Sequence, residues 1–124
     1  MHWADDFVGL PYENEGRGPE AFDCLGLLIA VNRDVFGKEI EDPGFSMAQA
    51  LRPSNRKKLE HQFERAETPT EGDALLFNLG RRALHVGVYI NENLMLHSHF
   101  DLSTVERWSG PNWFCRFVGA YRLV

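Results

Sequence analysis

Cys24 is the residue of this chain with the clearest chemical signature, because it stands where an apolar helix is predicted to begin. It follows a loop rich in glycine and charge, residues 11–19. Backbone N–H groups and the positive end of a helix dipole favour a thiolate at such a position. We therefore expect the pKa of Cys24 to lie below the free value of roughly 8.5, as a thiol nucleophile requires.

The candidate base for this nucleophile is His85, in a segment with the alternating pattern of a β-strand. If residues 91–93 form a three-residue loop, the chain returns as a second strand with His99 opposite His85. His97 then lies on the diagonal of the same face, and Gly87 would leave room for the two imidazoles to meet. A two-residue loop would turn His97 to the other face, so the predicted geometry depends on this register.

With the start of the helix docked on the histidine-bearing face, Cys24 and His85 could perform acyl transfer. The thiolate would attack a carbonyl to form a thioester. His85 would protonate the leaving amine and then activate the water that releases the acid. The backbone N–H of Cys24 and the hydroxyl of Tyr12 are candidate donors to the oxyanion.

Two other interpretations of the histidines remain open at this point. Histidines in strands are more often surface residues or hydrogen-bonded core residues than catalytic ones, and three of them in one hairpin could arise by chance. A zinc ion could also bind to His85, His97 and His99 together with Cys24, although their spacing matches no compact zinc motif.

Length and charge limit the class of protein. A chain of 124 residues is predicted to form one domain, residues 1–124, around a single core. The net charge of −5 and the scattered basic residues argue against nucleic acid as a partner. Adjacent basic residues occur only at 56–58 and 81–82, where a solvated helix face and a loop are expected. No apolar stretch is long enough for membrane insertion and the N-terminus lacks a signal-peptide pattern, so synthesis in the cytoplasm is predicted.

The second cysteine, Cys115, is expected to be a small buried hydrophobic residue. It lies between Phe114 and Phe117 in an aromatic, β-like tail. Two cysteines form neither a disulfide framework nor a metal-ligand pattern, although a single bridge between Cys24 and Cys115 remains open.

The elements that must position these residues are predicted to give an α+β fold. Asp23 is expected to cap a buried helix that begins at Cys24 and ends before Gly37. Residues 46–60 have a helical pattern broken at Pro53, and their charge indicates a peripheral surface segment. The second half of the chain is predicted to form an antiparallel sheet from strands at 73–78, 84–90, 94–99, 103–107 and 114–123.

Five short motifs are spread over nearly the whole chain: Pro-Tyr at 11–12, Gly-Arg-Gly-Pro at 16–19, Asp-Cys-Leu-Gly-Leu at 23–27, a stretch beginning Glu-Gly-Asp at 71–77 and His-Val-Gly-Val-Tyr at 85–89. Together with His97, their order and spacing resemble the NlpC-type papain-like cysteine peptidases, endopeptidases that cut bacterial cell-wall peptide stems. The resemblance implies a papain-like fold in which an N-terminal helix carries the nucleophile and packs on an antiparallel sheet.

The resemblance also implies roles for individual residues. Cys24 would be the nucleophile, His85 the general base and acid, and His97 the orienting third residue, with His99 as the alternative. Tyr12 and Asp23 would contact the oxyanion or the substrate. No cofactor and no metal are implied.

Within the family, Trp3 and the motifs at 11–12 and 16–19 are most similar to the peptidase domains of phage and prophage tail-assembly proteins. The expected partners are then peptidoglycan peptide stems and phage tail proteins, and the protein would travel with the virion tail. The favoured bond joins γ-D-glutamate to a diamino acid. Leu25 stands where the family commonly has a serine and cannot accept a hydrogen bond, so substrate recognition is expected to differ there.

Two other functions fit the same residues. A related thiol amidase or acyltransferase would use the same cysteine and histidine on a different carbonyl compound. A tail or assembly protein could also keep this fold as a non-catalytic interaction module. Replacing Cys24 with alanine would separate catalysis from binding, because a binding module needs no nucleophile.

Overall fold

The computed structural model describes residues 2–80 and 83–124 of the chain. In this part of the chain there are three α-helices: α1 (Cys24–Phe36), α2 (Pro53–Glu60) and the single turn α3 (Pro111–Phe114). Short 3₁₀ helices span Trp3–Phe7 and Gln49–Leu51. The strands are β1 (Phe63–Arg65), β2 (Ala74–Asn78), β3 (Leu84–Tyr89), β4 (Leu94–His99), β5 (Leu102–Arg107) and β6 (Phe117–Leu123).

These strands form one antiparallel sheet in the order β1-β6-β2-β3-β4-β5. The predicted fold class, an α+β papain-like arrangement with the Cys24 helix packed on an antiparallel sheet, is confirmed. The sequence predicts β2 to β6 but not β1, because three residues are too few to display an alternation. The last strand begins at Phe117 rather than at residue 114, because α3 occupies the preceding segment.

Helix α1 is the buried helix that the sequence predicts. Asp23 caps it by accepting a hydrogen bond from the Gly26 N–H at 2.7 Å. Gly37 ends it in the left-handed conformation, with φ of 65°. The helix packs against β3 and β4, and its residues from Cys24 to Asn32 are all buried. A helix that is apolar around most of its circumference requires such burial.

The alternate residues of β3 and β4 lie on two different faces of the sheet. Leu84, Val86 and Val88 join the core around α1. On the other face, His85 stacks on Trp113 of α3, with ring centroids 5.0 Å apart. The body of α1 therefore covers the apolar face rather than the histidine-bearing face. Its first residue meets the histidines at the end of the sheet where β3 begins and β4 ends.

The segment 46–60 is helical on both sides of Pro53, as predicted, since proline is accepted at the first position of α2. The prediction that it is peripheral is wrong for part of it, because Met47, Ala50 and Leu59 are buried in the core around α1. None of the helices in the described residues combines the length and hydrophobicity needed to span a bilayer. The basic pair at 81–82 lies outside the described residues.

Candidate active site

Cys24 lines a pocket of about 270 Å³ at the start of α1. The same pocket is lined by His85, Tyr12 and Asp23. The structure therefore brings together four of the residues that the sequence singles out. His97 is 1% exposed and lies against His85.

The loop before α1 fixes the position of the thiol. The Asp23 N–H donates to the Gly16 carbonyl at 3.1 Å, and Ser98 Oγ of β4 donates to the Phe22 carbonyl at 3.0 Å. A Cβ at position 26 would overlap the Gly16 carbonyl oxygen, so only a glycine allows the loop to approach the helix this closely. The loop, the helix start and the end of β4 thus form one hydrogen-bonded unit.

The predicted hairpin register is confirmed. Val88 lies opposite Leu96 and Tyr89 opposite Met95, so the connecting loop is residues 91–93. This pairing places residues of odd number in both strands on the histidine-bearing face.

The two histidines form the first part of a hydrogen-bonded chain that leads away from the pocket. His85 Nε2 and His97 Nδ1 are 2.8 Å apart. His97 Nε2 is 2.9 Å from Glu106 Oε1 on β5, and Trp113 Nε1 donates to Glu106 Oε2 at 2.8 Å. A hydrogen bond therefore connects each of these side chains to the next, from His85 through His97 and Glu106 to Trp113.

Gly87 does not provide the space in which the imidazoles meet, contrary to the expectation from the sequence. A Cβ at this position would overlap Met95 Sδ, so the glycine accommodates the thioether. The imidazoles are instead packed by Trp113, which stacks on His85 and meets His97 edge-on with centroids 5.1 Å apart.

His99 is a second aromatic neighbour of His85, with ring centroids 4.9 Å apart. It lines the pocket, and its own ring lies 4.0 Å from that of Phe100. The hydrogen bond to His85 is nevertheless made by His97. Of the two candidates for the third position, His97 thus has the geometry of an orienting residue.

The thiol and the imidazole are both neutral in this conformation. Burial raises the pKa of Cys24 to about 12, against hydrogen bonding to the Val86 backbone, which lowers it. The expected low pKa of Cys24 is therefore wrong here, because desolvation outweighs the helix N-terminus. Burial also lowers the pKa of His85 well below its usual value, and the neighbouring His97 and His99 lower it further.

The two carboxylate oxygens of Asp23 differ in their hydrogen bonding. Oδ1 accepts hydrogen bonds from the Gly26 N–H and, at 2.8 Å, from Arg17 Nη1. Oδ2 is buried and has no hydrogen-bond partner within residues 2–80 and 83–124. Burial raises the pKa of Asp23, and the bonds from Gly26 and Arg17 oppose the rise. A buried acceptor in the lining of a pocket is a candidate contact for an N–H group of a ligand.

Tyr12 stands at the mouth of the same pocket and is 37% exposed. Burial raises the pKa of its hydroxyl, and the negative charge of Asp23 raises it further. The phenol therefore keeps its proton at neutral pH. It can serve as a hydrogen-bond donor to an oxyanion or to a substrate carbonyl.

The structure contradicts the prediction for Cys115, which is exposed rather than buried. The residue follows α3 in a helical turn, with its Sγ 3.4 Å from the Pro111 carbonyl, so it does not belong to a strand. Both cysteines are free. Within the described part of the chain, no group of three or more His, Cys, Asp and Glu side chains is arranged to hold a metal ion.

Three residues around the site were not predicted from the sequence: Glu106, Trp113 and Phe100. Glu106 could have been found by continuing the register through the turn after β4, which puts Thr104 opposite His97 and Glu106 on the diagonal. Trp113 has no local signal, because it reaches the histidines from a separate helical turn.

The comparisons with known proteins all point to one family. The family model for the NlpC/P60 family matches residues 9–122. "Murein DD-endopeptidase MepS/Murein LD-carboxypeptidase" of Escherichia coli K12 is 25% identical over 120 residues, which cover 96% of this chain and 58% of the relative. "Probable endopeptidase p60" of Listeria grayi is 30% identical over 97% of this chain and 21% of its own length. The chain thus spans little more than half of the first of these relatives and about a fifth of the second.

Solved structures resemble the same part of the chain. A lipoprotein-like NLP/P60 family protein of Staphylococcus aureus superposes with a TM-score of 0.71 at 26% identity, covering 98% of this chain and 39% of that one. The NlpC/p60 domain of the peptidoglycan hydrolase SagA superposes with a TM-score of 0.64 at 20% identity, covering 97% and 92%. The second similarity is one of fold.

Proposed function

The chain belongs to the NlpC/P60 family, and from this premise we propose that it is a cysteine peptidase that hydrolyses an amide bond in peptidoglycan stem peptides. The observation that carries the proposal is the position of His85. It shares a pocket with Cys24 while its Nε2 is hydrogen-bonded to His97. The names of the relatives, a murein endopeptidase and a p60 endopeptidase, support peptidoglycan as the substrate class.

The proposed reaction begins from a neutral thiol. His85 removes the proton of Cys24 as the sulfur attacks the carbonyl carbon, and a thioester forms when the amine departs with that proton. Water then attacks the thioester with His85 as base, and the thiol is regenerated as the acid leaves. The backbone N–H of Cys24 and the Tyr12 hydroxyl would stabilise the oxyanion in both steps, and the loss of one such donor typically raises the barrier by about 3 kcal/mol.

For substrate recognition, we propose that Asp23 and Tyr12 contact the peptide next to the cleaved bond. Asp23 Oδ2 offers a buried acceptor without a partner among the described residues, which suits an amine or amide N–H. Leu25 contributes nothing polar there, since its side chain is 1% exposed and packs in the core. The favoured bond remains the one between γ-D-glutamate and a diamino acid.

We also propose that the protein is made in the cytoplasm and acts in a phage or prophage tail. The support is the combination of Trp3 with the motifs at 11–12 and 16–19. Mass spectrometry of tail particles purified from a host that carries the gene should detect the chain together with phage tail proteins. Its absence from particles, with the protein present in the same cells, would contradict the tail assignment without affecting the peptidase proposal.

The central experiment is digestion of purified muropeptides followed by mass spectrometry. The wild type should convert a stem peptide into two products whose summed mass exceeds that of the substrate by one water. Cys24→Ala should give no product, whereas Cys115→Ala, which removes the other free cysteine, should cut normally.

Three outcomes would reject the proposal. Turnover retained in Cys24→Ala would exclude the thiol as nucleophile. Binding of stem peptides without turnover by the wild type would favour the interaction module, and turnover of lipid amides alone would favour the thiol amidase or acyltransferase.

A further inference from the structure

Glu106 makes a contact that the reaction described above does not use. It lies on β5 opposite Met95, one diagonal step from His97. Its two carboxylate oxygens bind different partners: Oε1 is 2.9 Å from His97 Nε2, and Oε2 accepts the Trp113 indole N–H at 2.8 Å. Because the indole nitrogen can only donate, this contact holds the carboxylate in place.

An imidazole in the third position of such a site can adopt either of two tautomers. A neutral histidine carries one proton, on Nδ1 or on Nε2, and the neighbouring hydrogen bonds decide which. With its proton on Nδ1, His97 would donate to His85 Nε2, and the remaining proton of His85 would sit on Nδ1. His85 would then have no free nitrogen with which to take the proton of Cys24.

The contact with Glu106 selects one of the two tautomers of His97. A carboxylate accepts, so His97 carries its proton on Nε2 and presents the lone pair of Nδ1 to His85. His85 must then donate from Nε2, which leaves Nδ1 unprotonated. This is the nitrogen that remains to receive the proton of the thiol.

We propose that Glu106 is a positioning residue that acts through His97: it fixes the His97 tautomer and thereby keeps Nδ1 of His85 free to act as the base toward Cys24. The proposal rests on the cysteine-peptidase function proposed above for its kinetic consequence, whereas the tautomers can be measured in the absence of turnover. The groups that face His97 are His85, His99, Trp113 and Glu106.

The kinetic test is a double-mutant cycle between Glu106 and His97. Glu106→Gln alone should lower kcat for stem-peptide cleavage about 10- to 100-fold with KM little changed, as loss of an orienting partner typically does. A glutamine can donate as well as accept, so it no longer selects one tautomer. In the His97→Ala background the same change should alter kcat less than about twofold, because no imidazole remains through which Glu106 could act on His85.

Glu64→Gln is the matched control, since it removes an exposed glutamate from β1, the edge strand opposite to β5 in the sheet. It should leave kcat unchanged. Thermal unfolding of each variant separates a general loss of structure from a positioning effect. An equal loss of kcat from Glu106→Gln in both backgrounds would overturn the proposal, because that pattern indicates a structural role.

The second test measures the tautomers directly by ¹⁵N NMR of the histidine side chains. In the wild type, His97 and His85 should both carry the proton on Nε2 and show an unprotonated Nδ1. In Glu106→Gln, His97 should show a mixture of tautomers. A wild-type His97 protonated on Nδ1, or an unchanged single tautomer in Glu106→Gln, would overturn the proposal. If these tautomers are found but the wild type cuts no stem peptide, the proposed function fails and the tautomer assignment stands.

Discussion

The two faces of the β3–β4 hairpin have opposite roles although their residues alternate along the same strands. On one face, Val88 and Leu96 are each at most 1% exposed and pack in the core around α1. On the other, His85 and His97 are just as deeply buried but are tied into a hydrogen-bonded chain. Burial alone therefore does not tell the residues that stabilise the fold from those that form the site. The hydrogen-bond partners of the buried side chains distinguish the two groups.

The largest predicted effect compares one residue from each face. His85→Ala should lower kcat/KM for stem-peptide cleavage by at least about 10³-fold, because it removes the group that accepts and returns the proton. Val88→Ala should instead cost about 2 kcal/mol of unfolding free energy through lost packing, with kcat/KM within about twofold of wild type. Denaturant unfolding and steady-state kinetics on both variants check the pair. Comparable kinetic losses in the two variants would mean that the faces are not functionally distinct.

The second prediction compares two residues of the histidine-bearing face, His97 and His99. His97→Ala should lower kcat about 10- to 100-fold, because His85 loses the acceptor that orients its ring. His99→Ala should have a smaller effect, since His99 packs beside His85 without the hydrogen bond. Measuring kcat and KM for both variants on one muropeptide gives the ranking. The reverse order would assign the third position to His99.

The third prediction compares the two cysteines: Cys24 begins α1, and Cys115 follows α3 on the opposite face of the sheet. Iodoacetamide at pH 7 should modify the exposed Cys115 at least about tenfold faster than Cys24, whose burial raises its pKa to about 12. Peptide mapping over time gives both rates, and Cys115→Ala isolates the slow one. Rapid modification in Cys115→Ala would mean that the thiolate of Cys24 is populated before substrate binds.

The two cysteines also show which properties of the molecule can be predicted from local sequence. The three-residue loop at 91–93 was one of two alternatives, and the strand pairing confirms it. Local pattern was sufficient for α1 and for its cap at Asp23, because both depend on neighbours in sequence. It failed for the pKa of Cys24 and for the exposure of Cys115. Both depend on distant segments: the burial of the thiol by other parts of the fold in the first case, and the placement of α3 in the second.

The same limit applies to the candidate site. Cys24, His85 and His97 could be proposed from residue type, alternation and family resemblance. Glu106 needed the β4–β5 register, and Trp113 needed the position of a helical turn after a loop. A hydrogen-bonded chain that crosses four elements, β3, β4, β5 and α3, has no signature in any one of them.

The fourth prediction concerns the pH dependence of stability on the histidine face. The pKa of His85 is lowered by burial, so around pH 6 the unfolded chain binds more protons than the folded one. The free energy of unfolding should therefore fall as pH decreases from 7 to 5.5, with His85 contributing about 1 kcal/mol of the loss. His85→Gln, compared by denaturant unfolding at both pH values, should show a correspondingly smaller loss. An unchanged pH dependence would mean that the pKa of His85 is the same in the folded and the unfolded chain, so that burial does not lower it.

The smallest predicted effect concerns Phe100, an exposed residue at the rim of the pocket that Cys24 lines. Phe100 follows β4, lines the pocket, is 82% exposed and has φ of 63°, a left-handed conformation that costs an ordinary residue about 1–2 kcal/mol. An exposed ring held at that cost is expected to contact the substrate. Phe100→Asn should raise KM a few-fold with kcat unchanged, and it should increase stability by up to about 1 kcal/mol because asparagine tolerates this conformation. Phe114→Asn on α3, another exposed phenylalanine, should leave KM unchanged. Equal KM values for Phe100→Asn and the wild type would leave the chemistry of the histidine face intact but remove the rim from substrate binding.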